Sequence, residues 1–452
     1  MRLRLERALL PDGVHRDVVV AIDADGRFQQ AETTTGSERL IPGLTLPGMP
    51  NVHSHAFQRA MAGSAEVASG AEHSFWGWRD VMYRFVERLT AEDVAAIAAF
   101  AYLEMLEAGY TSVAEFHYLH HQPAGAAYAP PAALADAVRA GAHRAGIRQL
   151  LLPTLYQQGN FNGEPLKGAQ RRFANDTAAF LRLFDDLRTR ESALATTGVA
   201  LHSLRAVPRE ALDAVAAAAR GCPVHIHIAE QRREVRDCEA ATGARPVEYL
   251  LGTGLVDARW CLVHATHVSA AELGALARSG AVAGLCPTTE SNLGDGRFPF
   301  DDFLAANGRF GIGSDSHVSL DPREELRSLE YTLRAWRERR VIAVDAATPN
   351  CGAFLYGAAV AGGAQALGLG SAGLKTGAPA DFIVIDTERA EFAGVNDAAL
   401  VDAWVFAPRP GAVRETWVGG RPVIHDGQHP AREAIAAAYR ASVTRLVAEP
   451  GR

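Results

Sequence analysis

From about residue 43 to about residue 360, short apolar runs bounded by turn formers alternate with longer segments whose apolar residues recur at helical spacing. Eight runs read as strands: 43–50, 111–116, 148–155, 197–202, 223–228, 260–264, 281–286 and 310–314. Segments 91–108, 131–145, 173–189, 208–220 and 246–251 read as helices between them. The strand candidates are apolar on both faces, as expected of a parallel sheet covered by helices. Alternation sustained this long predicts an α/β fold, a TIM-like (β/α)8 barrel. A doubly wound open sheet is the alternative, but no GxGxxG follows the first strand.

The chain ends are patterned differently. RLRLERALL, HRDVVVAID and GRFQQAE alternate like short strands separated by Asp-Gly turns. Beyond about residue 370, GLGSAGLKTGAPADFIVIDT, DAWVF and VRETWVGGRPVIHDG read as strands joined by Gly-rich turns, and the C-terminal stretch reads as a helix. Strand-rich ends can pair, so the expectation is a small β-sandwich domain beside the barrel. Residues 1–45 would supply its N-terminal part, 46–370 the barrel, and 371–452 its C-terminal part with a terminal helix. The polar loop 156–170 reads as a lid or as a plain surface loop.

Composition narrows the function. The 452 residues are 48% hydrophobic, enough for a large core, and carry a formal charge of −7 without blocks of like charge. That argues against nucleic acid or a membrane surface as the main partner. The five cysteines are odd in number and scattered, with no CxxC, which suits reduced thiols in the cytoplasm. MRLRLERALLPDG lacks the apolar core of a signal peptide, and no run approaches the ~20 apolar residues of a membrane span.

The candidate chemistry gathers at strand ends. LPGMPNVHSHAFQRAMAG places His53 and His55 at i and i+2, on one side of a strand, after the turn formers Gly48, Pro50 and Asn51. HIHIAEQ follows the fifth strand, with His225 and His227 on one face and Glu230 just beyond. VHATH ends the sixth with His264, and GIGSDSH follows the eighth with Asp315. Any one of these is commonly structural. Together they would converge on the C-terminal mouth of a barrel, where such folds place their active sites.

These residues resemble the amidohydrolase superfamily, in its single-metal deaminase branch. The likeness covers nearly the whole chain. The strings PGMPNVHSHAFQRAMAG, SFWGWRDVMYRFVERL, EFHYLHH, LHSLRAV, HIHIAEQ and CPTTESNLGDGRFP are similar to members that deiminate formimidoyl amino acids. The resemblance implies hydrolysis of N-formimidoyl-L-glutamate by a homodimer with one Zn²⁺ per subunit, held by His53, His55, His227 and Asp315. His225 lies one step deeper on its strand and is left out of the ligand set. Asp315 would also accept a proton from water, His264 would stabilise the developing negative charge, and Glu230 would protonate nitrogen. The resemblance assigns substrate contacts to Gln58, Arg79, Tyr118, His202 and Arg205, the arginines suiting carboxylates. Glu290 should line the site without an assigned role. The alternatives are a related deaminase acting on a nucleobase such as guanine, and a barrel that kept the fold without catalysis.

Overall fold

The computed structural model describes residues 1–30, 36, 38–66, 75–407 and 411–448. The end of the third N-terminal run and Ser74, which opens the Trp-rich string, lie outside these residues.

Eight parallel strands close into a barrel. They are β1 (Met49–Ser54), β2 (Tyr110–His117), β3 (Arg148–Leu155), β4 (Val199–Ser203), β5 (Val224–Ile228), β6 (Trp260–His264), β7 (Val282–Leu285) and β8 (Arg309–Ile312). Each strand pairs with the next, and β8 returns to pair with β1, Ile312 opposite Asn51. A short extra strand, Ala195–Thr197, lies beside β3. The barrel strands are buried almost throughout, which is why they read as apolar runs rather than alternating ones.

The connecting helices begin and end where local chemistry allows. Helix Ala91–Ala108 starts with a Thr90–Asp93 capping box and stops at Gly109, whose φ is +113°. Helix Cys351–Ala366 lies against β8 so closely that a Cβ on Gly362 would sit 1.9 Å from the Phe310 carbonyl oxygen.

The two chain ends build the small β-domain as one curled seven-stranded sheet. Phe382–Ile385 pairs antiparallel with Arg39–Pro47, which joins the C-terminal strands to the N-terminal hairpin Arg2–Leu10 and Gly13–Ile22. Leu3, Leu5, Ile41, Phe382 and Trp417 form its own apolar core.

Two local expectations are corrected. The apolar run 43–50 is not one barrel strand: its first part ends the small-sheet strand at Pro47, and β1 begins at Met49. Gly48 makes the handover, where a Cβ would come within 2.1 Å of Thr111 Oγ1. DAWVF is not a strand but part of helix Leu400–Phe406. Its buried residues Leu400, Val401, Trp404 and Val405 follow helical spacing, and Trp404 packs edge-on against Tyr356 of helix Cys351–Ala366.

Candidate active site

His53 of β1, His55 just past its end, His227 of β5, His264 of β6 and Asp315 just past β8 meet at the barrel mouth. His53 Nε2 and His227 Nε2 are 3.0 Å apart, and the Nε2 atoms of His53 and His55 each lie 3.5 Å from Asp315 Oδ1. The opposite ring nitrogens are turned away. His55 Nδ1 donates to the Phe116 carbonyl at 2.8 Å, and His227 Nδ1 donates to the His202 carbonyl at 3.0 Å. Those bonds leave the Nε2 lone pairs of His55 and His227 facing the cluster, the arrangement a metal ligand requires.

The electrostatics agree with that arrangement. Burial, then repulsion from neighbouring imidazoles, holds His53 and His227 well below the ordinary histidine range. Burial also lowers His55, against the pull of Asp315 and the Phe116 carbonyl. Neutral imidazoles are the form that binds a cation. The donor set of three imidazole nitrogens and one carboxylate oxygen therefore makes this a candidate metal site. His225, by contrast, hydrogen-bonds through Nε2 to the Ala366 carbonyl at 2.9 Å, below the cluster.

The backbone turns left-handed where three of the strands end. Ala229, His264 and Asp315 have φ values of 52°, 68° and 45°. Such strain in non-glycine residues persists where the surroundings over-determine it. Glu234 braces one of these turns, accepting from the amides of Ala229 and Glu230 at 3.1 Å each.

His264 Nε2 stands 3.8 Å from both Glu230 Oε1 and Asp315 Oδ2, with its Nδ1 3.2 Å from Glu290 Oε1. Burial opposes charge on His264, but Glu230, Glu290 and Asp315 together raise it to about 10. A dication in the cluster would draw that value down. Burial raises Glu230 to about 7, with His264 opposing. A carboxyl poised there can give and regain a proton at neutral pH. Glu290 also accepts from the Cys286 amide at 2.9 Å, so it sits behind His264 and fixes the ring.

The other side of the pocket is cationic and aromatic. Arg79, on helix Phe75–Val86, and Arg205, past β4, both line it with Gln58, Tyr118 and His202. Arg205 Nη1 donates to the Gly159 carbonyl at 3.1 Å. Gln58 Nε2 donates to Tyr118 OH at 2.9 Å, and burial pushes the Tyr118 phenol well above its ordinary range. Burial, helped by Arg205, keeps His202 neutral. Every site residue expected from the sequence thus borders this pocket except His53, which sits beneath it in the histidine cluster, and Glu290, which stands behind His264 instead of on the lining. Trp78, Met82, Tyr83, Tyr156, Phe173 and Glu234 also line it and were not anticipated. The spacing 78, 79, 82, 83 on one helix face could have found three of them.

The amidohydrolase family profile matches residues 42–423. The chain belongs to the amidohydrolase family. This amidohydrolase is 51% identical over 441 residues to the formimidoylglutamate deiminase of Pseudomonas aeruginosa, spanning 96% of this chain and 97% of that one. It is 28% identical over 432 residues to a 5-methylthioadenosine/S-adenosylhomocysteine deaminase of Haloarcula marismortui, spanning 94% and 90%. The crystal structure of an amidohydrolase from Brucella melitensis superposes with a TM-score of 0.93 at 42% identity, over 99% of this chain and 100% of that one. A zinc-bound adenosine deaminase from Xanthomonas campestris shares the fold, with a TM-score of 0.81 at 23% identity over 98% of each chain. Among the described residues, no helix of this amidohydrolase is long and apolar enough to cross a membrane.

Proposed function

We propose that this amidohydrolase hydrolyses N-formimidoyl-L-glutamate to N-formyl-L-glutamate and ammonia. The observation that carries the reading is a pocket with two poles: Arg79 and Arg205 at one, and Glu230, His264 and Asp315 at the other. A substrate with carboxylates at one end and an amidine at the other fits both. The 51% identity with the Pseudomonas aeruginosa deiminase supports the same choice.

One Zn²⁺ per subunit would be held by His53, His55, His227 and Asp315. The chemistry such an ion would supply there is Lewis acidity, which would make water a nucleophile at neutral pH. Asp315 takes the proton that the water gives up. The oxygen adds to the formimidoyl carbon, and the C=N double bond becomes single as its electron pair moves to nitrogen. His264 hydrogen-bonds to the incoming oxygen and stabilises its charge. Glu230 delivers a proton to the nitrogen, making it an amine, the proton held by Asp315 then makes it an ammonium leaving group, and the hydroxyl proton returns to Glu230 as the carbonyl forms. The C–N bond then breaks, ammonia departs, and the carbon keeps the oxygen as a formyl carbonyl. Arg79 and Arg205 pair with the substrate carboxylates, and Tyr118, His202 and Gln58 orient the chain between the poles.

We further read the protein as a cytoplasmic homodimer. Its five cysteines are buried and unpaired, which suits a reducing compartment. The dimer rests on family resemblance, and light scattering tests it. The activity is tested by ammonia release from the zinc-loaded protein given N-formimidoyl-L-glutamate, N-formimidoyl-L-aspartate or guanine. Turnover of the first above the others is the expected result. Turnover of guanine alone would replace the deiminase reading with a nucleobase deaminase.

A further inference from the structure

Arg172 closes the short turn Gly168–Arg172 in the loop after β3, and its side chain is only 1% exposed. A guanidinium keeps its charge wherever it sits, so burial is costly unless its N–H groups are answered. Burial pulls its pKa down, and the Tyr128 hydroxyl opposes. Among the described residues it is answered by backbone carbonyls. Nε donates to His121 O at 2.8 Å, Nη1 donates to Val86 O, and Nη2 donates to Leu89 O at 2.9 Å.

Those acceptors are not arbitrary. Val86 ends helix Phe75–Val86, and Leu89 closes the turn after it. The last carbonyls of a helix lack partners within it, and a cation there also meets the negative end of the helix dipole. The Arg172 carbonyl in turn accepts from the amides of His120 and His121 at 2.9 and 3.0 Å. One residue therefore ties together the loops that follow β1, β2 and β3. Its neighbour Phe173 packs among Tyr83, Tyr118 and Tyr156, with ring centroids 6.3, 4.9 and 5.6 Å away.

We propose that Arg172 is a positioning residue for substrate binding: it clamps the C-terminal end of helix Phe75–Val86 and so sets where Arg79 and Tyr83 stand in the pocket. It acts through the helix and touches none of the reacting atoms. The affinity consequence, though not the clamp itself, rests on reading Arg79 as a carboxylate partner.

Arg172→Met keeps a long side chain in the slot and deletes the donors. In the full-length, zinc-loaded protein it should raise KM for N-formimidoyl-L-glutamate about tenfold or more while kcat stays within about threefold. Zinc content should not change. Amide hydrogen exchange should quicken across residues 76–89 and at 120–121, and stay slow in β3 and β6. Arg172→Lys should recover part of the lost affinity, and it carries both readouts if the methionine variant does not fold. Unchanged exchange at 76–89 would overturn the clamp. So would a kcat loss matching the KM rise, or exchange quickening throughout the barrel, because each marks general loosening. If the wild-type protein ignores the formimidoyl substrate, the functional reading falls while the exchange data still decide the clamp.

Discussion

The two sides of the pocket are built by different means. On the metal side, the functional atoms stand on strand ends, and the residues between them are pinned by buried hydrogen bonds to other strands. Ser54, between His53 and His55, donates to Glu115 of β2 at 2.5 Å, and the Ala56 amide donates to the same carboxyl at 2.8 Å. Asn51 Nδ2 donates to Ser314 Oγ at 2.6 Å, while Asn51 Oδ1 accepts from the amides of His53 and Ser314, both at 3.2 Å. On the substrate side, Arg79 stands on a helix outside the barrel wall, and Arg205 leans on the carbonyl of Gly159 in a loop. Chemistry that needs several ligand atoms within a few ångströms is placed on the most rigid part of the fold. Recognition, which differs between relatives, is placed on connections that can change without disturbing the barrel.

If that division holds, variants on the two sides should fail in different ways. The largest effect is expected for Asp315→Asn, which removes the proposed proton acceptor and a charged candidate ligand. Its kcat should fall by about 10³-fold or more, with the barrel still folded by circular dichroism. A variant retaining most of its rate would strip Asp315 of that role. Arg205→Ala should instead raise KM by about 10- to 100-fold, the cost of one charged hydrogen bond, with kcat nearly kept. Equal losses in kcat and 1/KM would mean that the arginine also serves the chemical step and that the two sides are not separate.

The smallest effect concerns the pins. Burial raises Glu115 from 4.5 to about 7, against its hydrogen bonds from Ser54, Ala56 and Tyr102. The folded state therefore holds a proton that the unfolded chain releases between pH 4.5 and about 7. Stability from this group is full below the lower value, falls as pH rises through the window, and is level above it. The total is on the order of 3 kcal/mol. Melting of the metal-free Glu115→Gln protein across this range should show a flatter pH dependence than wild type. An unchanged slope would place the dependence elsewhere.

The cluster of histidines with Asp315 at the strand ends was legible in the sequence because its parts are local. A ligand at a strand end sits directly beside the apolar run that buries it, as in VHATH and GIGSDSH, and the i, i+2 pairs share a face by the geometry of a strand alone. The order of strands and helices was legible for the same reason. The substrate contacts proposed for Arg79 and Arg205 came only from family resemblance, since an arginine carries no local mark that separates a binding role from a solvated one.

What the sequence by itself determined is thus the barrel, the small domain from both ends, and the histidines and aspartate that face one another across the mouth. Tertiary structure alone decided the rest. It split the run 43–50 at Gly48, because that residue must pass against Thr111, far along the chain. It made DAWVF a helix, because Trp404 and Val405 find their burial against a helix formed by residues 351–366. It set Glu290 behind His264 and Arg172 beneath the end of the Arg79 helix. In each case the deciding contact joins residues distant in the chain, and a local pattern of polar and apolar positions carries no information about which distant surface will cover it.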